Sequence, residues 1–152
     1  MFSDASSSNS FPAFKTLWEN YPHKIDGYNQ RPSSNASYRN QCAIRLSVAF
    51  QKSGMDMSNY PESDKSIENY ALTANRLKFW INQNYGEPSI KLTQEEFHNS
   101  AYYNKHGIIY LDSPNGYANH IDLYQGDFNY APYSRTGSGY YKADMIWFWE
   151  IK

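Results

Sequence analysis

Cys42 is the only cysteine of the chain. It stands in Asn40-Gln41-Cys42-Ala43-Ile44-Arg45-Leu46-Ser47, where an amphipathic helix begins. Unpaired backbone N–H groups and the positive end of the helix dipole favour thiolate over thiol at such a place. His120 comes much later, in the strand-like run Asn119-His120-Ile121-Asp122-Leu123-Tyr124. A thiol early on a helix and an imidazole late on a strand is the layout of a thiol hydrolase, in which the ring activates the sulfur and then protonates the leaving group. The plainer reading of a lone cysteine on an apolar helix face is a small buried hydrophobe. For His120 it is a solvent-facing strand position.

An imidazole used this way needs a third group to hold its tautomer and stabilise its cation. Three residues compete. Asp122 shares a strand face with His120, although side chains two apart on a strand diverge. Asn129 falls on the following strand, from which a cross-strand amide can reach the ring. Asp127 lies in the turn between them. Arg45, three residues past Cys42, reads equally as a substrate-carboxylate contact and as a structural ion pair. His23, His98 and His106 show no metal-ligand spacing, and with no cysteine cluster neither a metal nor another cofactor is expected.

The elements that must carry these groups follow from periodicity. A first helix is expected from Ser10 or Phe11 to Asn20, with Phe14, Leu17, Trp18 and Tyr21 on one face and Pro22 ending it. A loop covers 23–38. A second helix runs from Gln41 to Ser53, capped by Asn40 and stopped by Gly54, burying Cys42, Leu46, Ala49 and Phe50. A third spans Ile67 to Asn84 between Ser66 and Gly86. Thr93-Gln94-Glu95-Glu96 is a capping box opening a short helix to Ser100. The pattern then turns strand-like over 107–112, 117–124, 128–130 and 144–151, with a flexible Gly/Ser loop at 134–139. Helices followed by an antiparallel meander imply an α+β domain, with the N-terminal helices packed on one face of an antiparallel β-sheet.

Residues 1–10, rich in Ser and Asn, read as a disordered N-terminus, and 11–152 as a single domain. A net charge of −1 without a basic stripe argues against nucleic acid. No stretch approaches a membrane span, so no membrane partner is expected. No basic region precedes an apolar run at the N-terminus, so export by a general signal peptide is not expected. The 15 tyrosines supply apolar bodies with polar tips suited to wet pockets.

The segment Asn-Gln-Cys-Ala-Ile-Arg-Leu-Ser (40–47), then Asn59-Tyr60-Pro61 and His120-Ile121-Asp122-Leu123-Tyr124-Gln125-Gly126, resembles the type VI secretion amidase effectors of family 4. The opening Phe14-Lys15-Thr16-Leu17-Trp18-Glu19-Asn20-Tyr21-Pro22 is similar to that family's entry helix. The resemblance implies a papain-like fold of the NlpC type. It also implies an antibacterial peptidoglycan amidase that cuts between D-glutamate and meso-diaminopimelate. By position Cys42 matches the family's nucleophile and His120 its base. The family's third member is an aspartate beyond the His strand; here 127–132 offers none at that distance, and Asn129 is the available substitute. The later cysteines of many relatives are absent, and Asn119 replaces the glycine that often precedes the histidine. Implied partners are peptidoglycan, a cognate immunity protein and the type VI secretion apparatus. The implied route runs from the producer's cytoplasm to the periplasm of target bacteria. The competing readings are a thiol hydrolase cutting another amide bond, and a non-catalytic glycan- or protein-binding module built on aromatic strands that include Trp147 and Trp149.

Overall fold

The computed structural model describes residues 9–22, 24–25, 28–33, 41–112, 119–127, 133–134 and 143–152; of these, 24–25, 28–29 and 133–134 are described by backbone alone. Helix α1 spans Phe14–Asn20, later than the expected start at Ser10 or Phe11. Pro12 explains the delay, because a proline biases the residue before it, Phe11, toward extended backbone. Within the expected loop a small antiparallel hairpin forms from β1 (Lys24–Ile25) and β2 (Tyr28–Asn29).

Helix α2 spans Cys42–Lys52. Every residue from Cys42 to Phe50 is buried, so the helix is enclosed on all sides rather than on one face. Its end is a Schellman turn: Gly54, at φ 87°, donates to Gln51 and Met55 donates to Phe50. The expected cap, Asn40, lies outside the described residues. Gln41 occupies the cap position and makes no side-chain cap bond.

Helix α3 (Ala74–Tyr85) starts seven residues later than its periodicity implies. The Thr73 hydroxyl caps it by accepting the Arg76 N–H. Residues 64–73 instead form a braced turn, in which buried Asp64 accepts bonds from Tyr60 and Thr73 and Ala71 donates to the Ser47 hydroxyl. Ile67, expected to open the helix, is 90% exposed. Gly86, at φ 99°, stops α3 as expected. A short strand β3 (Ile90–Leu92), which the pattern did not announce, precedes α4 (Gln94–His98); α4 carries both bonds of the Thr93–Glu96 capping box. A 3-10 turn at Ala101–Asn104 leads into the sheet.

The remaining strands are β4 (His106–Asp112), β5 (His120–Gln125), β6 (Tyr133–Ser134) and β7 (Met145–Glu150). They form with β3 one antiparallel sheet in the order β3-β7-β4-β5-β6. This is not a meander: the last strand inserts between β3 and β4. The expected strand at 128–130 lies outside the described residues, and Ser134, placed in a loop by the pattern, belongs to β6.

Both faces of the sheet are covered, not one. On one side α1, α2 and α3 bury Leu17, Leu46, Phe50, Leu77 and Ile81 against Ile108, Tyr110, Ile121 and Leu123. On the other, Phe97 of α4 and the 3-10 turn cover Ile109, Leu111, Tyr124 and Phe148. Burial at roughly 25 cal/mol per Å² of apolar surface makes these two layers the main stabilising term. Gly107 is required by close approach: a Cβ there would meet the Trp149 carbonyl oxygen at 1.8 Å.

Candidate functional site

Helix α2 packs against β5, and its first residue is Cys42, which is 3% exposed. β6 pairs with β5 only at Tyr124 and Gln125, so the first half of β5, with His120 and Asp122, has a described strand neighbour on one side only. The start of α2 and the end of α1 meet the sheet around this half-strand. That junction brings together side chains that are far apart in sequence.

His120 Nε2 lies 3.2 Å from Asp122 Oδ2. The divergence expected of residues two apart on a strand therefore does not separate them. Asp122 is fully buried, and its other oxygen accepts the Leu123 N–H at 2.8 Å. His120 is also hydrogen-bonded to Cys42. Burial disfavours the imidazolium, but hydrogen bonds to Asp122 and Cys42, with the negative charge each can carry, outweigh it. The His120 imidazole is pushed up to about 10. A ring held in its cationic form beside a sulfur is what stabilises a thiolate. The first-turn amides of α2 have no acceptor within their own helix.

The other sequence candidates fall as follows. Asp127 binds a different histidine: its Oδ2 is 3.1 Å from His106 Nδ1. Asn129 and His23 lie outside the described residues. His98 rests against the Tyr103 ring at 4.5 Å. Arg45 is buried and donates from Nε to the Gln30 carbonyl at 2.6 Å. It makes no ion pair among the described residues, so it ties α2 to the preceding loop. No group of three metal-ligating side chains occurs among the described residues. No described helix is long and apolar enough to cross a membrane.

Three residues escaped the sequence reading. Gln41 is fully buried and clasps Ser33 from both sides, accepting its N–H at 3.3 Å and donating to its carbonyl at 2.9 Å. It thereby ties Ser33 to the residue that precedes Cys42. Tyr21, just past α1, is 2% exposed, and its hydroxyl sits beside the Asp122 carboxylate without a hydrogen bond of good geometry among the described residues. Burial first, then the charge of Asp122, holds this phenol well above its usual range. Tyr110 on β4 is linked to Asn119 by a hydrogen bond and feels the charge at Cys42. Tyr21 had a signal, an apolar-face position, but that pattern cannot say which buried phenol meets a carboxylate. A depression of about 600 Å³ lined by α3 with Asn59 and Pro61 does not reach Cys42.

A family model described as type VI secretion system amidase effector protein 4 matches residues 38–149. No curated protein matches the sequence. Among solved structures, the type VI effector Tae4 from Enterobacter cloacae is similar at 16% identity and TM-score 0.65, covering 95% of this chain and 99% of that one. The effector–immunity complex Tae4–Tai4 from Salmonella Typhimurium gives 17% identity and TM-score 0.65, covering 93% and 99%. A selenomethionine variant of the Tae4/Tai4 system of that species gives 19% and 0.63, covering 94% and 98%. At these identities the likeness is one of fold.

Proposed function

Since this chain belongs to the type VI secretion amidase effector family 4, antibacterial amidases acting on peptidoglycan, we propose that its hydrolysis runs through a Cys42 acyl-enzyme at the D-glutamyl–meso-diaminopimelate bond. The fold is the papain-like, NlpC-type arrangement of its relatives. The observation that carries the reading is His120 lodged between Cys42 and the sealed Asp122 carboxylate, with its ring held cationic.

In the first half-reaction the Cys42 sulfur attacks the γ-carbonyl of D-glutamate. The C–N bond breaks, and the His120 proton goes to the diaminopimelate nitrogen. A water molecule then gives a proton back to His120 and attacks the thioester, releasing the glutamyl carboxylate and the thiol. Amides of the first turn of α2 stabilise the oxyanion, an effect of about 3 kcal/mol per donor. Asp122 is the positioning carboxylate in this scheme. Asp127, engaged by His106, is not needed. The effector is delivered into target cells by type VI secretion, and the substrate puts its site of action in the periplasm. A cognate immunity protein is its partner, as peptidoglycan is its substrate.

The test is digestion of isolated Gram-negative sacculi by the wild-type chain and Cys42→Ala, read by mass spectrometry. The wild type is expected to consume intact tetrapeptide stems and expose a diaminopimelate amine, while Cys42→Ala releases nothing and melts at a similar temperature. Release by Cys42→Ala would remove the sulfur from the mechanism. A different new amine would move the cut to another bond.

A further inference from the structure

Lys78, on α3, is 5% exposed, and its Nζ lies 4.2 Å from the Phe79 ring centre and 4.4 Å from those of Tyr110 and Trp147. Lys91 on β3 places a second ammonium 4.1 Å from the same Trp147 ring. Neither lysine has a carboxylate within ion-pair distance among the described residues. Two like charges gathered on one indole repel each other, and aromatic faces satisfy a cation's charge but accept its N–H bonds poorly. Burial is the main influence holding the Lys78 ammonium below an ordinary lysine; Asp112 works against it and Lys91 with it. The cage is not sealed, because Phe79, one of its walls, is 53% exposed. What it lacks is an anion in direct contact, since Asp112 acts on Lys78 only from beyond ion-pair distance.

Its position says which one. Tyr110 carries Lys78 on its ring, while its hydroxyl reaches Asn75 at 3.4 Å. The same phenol is hydrogen-bonded to Asn119, the residue before His120, and feels the charge at Cys42. One tyrosine therefore links the lysine cage to the residue that precedes His120. A peptide stem joined through the γ-carboxyl of glutamate carries free carboxylates on both sides of the cut amide. We propose that Lys78, with Lys91 beside it, anchors a carboxylate of the peptide stem next to the scissile bond. The inference rests on the amidase reading above and adds a specificity-determining subsite to it.

The test is calorimetric binding of the synthetic stem L-Ala-γ-D-Glu-meso-diaminopimelate-D-Ala to Cys42→Ala protein, with and without Lys78→Met. Two further peptides carry an amide in place of the D-glutamate α-carboxylate or of the diaminopimelate carboxylate. Lys78→Met is expected to weaken the free-acid peptide about tenfold or more, as loss of a charge-assisted contact does, and Lys78→Arg to keep most of the affinity. Amidating the anchored carboxylate should cost the same on the Lys78 protein and nothing further on Lys78→Met, which also tells which side of the bond is held. The peptide arm needs no folded Lys78 variant. Equal binding of all three peptides, or an unchanged affinity of folded Lys78→Met for the free acid, overturns the subsite while leaving the amidase intact. Failure of the Cys42→Ala protein to bind any stem, with no cleavage by the wild type, overturns the amidase reading and the subsite with it.

Discussion

His120–Asp122 and His106–Asp127 are the same two side chains at nearly the same separation, 3.2 and 3.1 Å, at opposite ends of one β4–β5 ladder. At one end Asp122 is fully buried, His120 keeps a quarter of its side chain in solvent, and a thiol completes the group. At the other, Asp127 is 47% exposed, and His106 rests on the Phe14 ring at 4.6 Å. An ion pair in water stabilises a fold by about 0–1 kcal/mol and is screened by salt. The same pair with its carboxylate sealed cannot release its charge to solvent, so it acts on the next group instead. Pairing a histidine with an aspartate is common. Burying the aspartate beside a helix that starts with cysteine is what distinguishes this pair from the other.

Swapping alanine for each histidine gives the widest separation between the two ends. His120→Ala is expected to lower amine release from sacculi by about 10³-fold or more, and His106→Ala by less than threefold. Equal losses would mean that His106 also serves the reaction. Amide replacements of the carboxylates come next. Asp122→Asn should cost about 10²–10⁴ in kcat/KM. It should also bring the alkaline limb of the pH profile down from near 10 toward the ordinary histidine range. Asp127→Asn should leave rate and profile alone, and an unmoved profile in Asp122→Asn would assign the positioning role elsewhere.

The smallest effect is on stability. A histidine whose proton is held more tightly in the folded state contributes stability that is complete below its unfolded value near 6.5. That contribution is lost as pH rises through the folded value of about 10. The melting temperature of the wild type should therefore fall between pH 7 and 10 at constant ionic strength, and more steeply than that of Asp122→Asn. Parallel curves for the two proteins would show that Asp122 is not what retains the proton.

Much of the local structure is legible in single residues. Gly54 and Gly86 stop their helices because positive φ is cheap only for glycine, and Thr93 with Glu96 closes its capping box, since each bond spans three residues. The start of α3 was misplaced because Ile67, Tyr70 and Ala71 keep a helical spacing, while buried Asp64 takes Thr73 for a distant turn and leaves it as the cap. β3 was missed for the same kind of reason: three residues hold no period, and they become a strand only because β7 lies beside them. Among the residues that meet at the candidate site, Cys42 and His120 were visible by type and position, and Asp122 as one of three candidates. Tyr21, Gln41 and Lys78 were not, since a phenol, an amide or an ammonium shows its role only through what it meets.

By itself the sequence determined the candidate thiol and imidazole, the helix that begins at the thiol, and most stop signals, all of which depend on neighbours within about four residues. The tertiary structure decided that β7 enters the sheet between β3 and β4, that Asp122 rather than Asp127 faces His120, and that Lys78 sits among three rings. Those outcomes depend on which distant surfaces exclude water from one another, and burial of that kind is a property of the assembled layers rather than of any local run of residues.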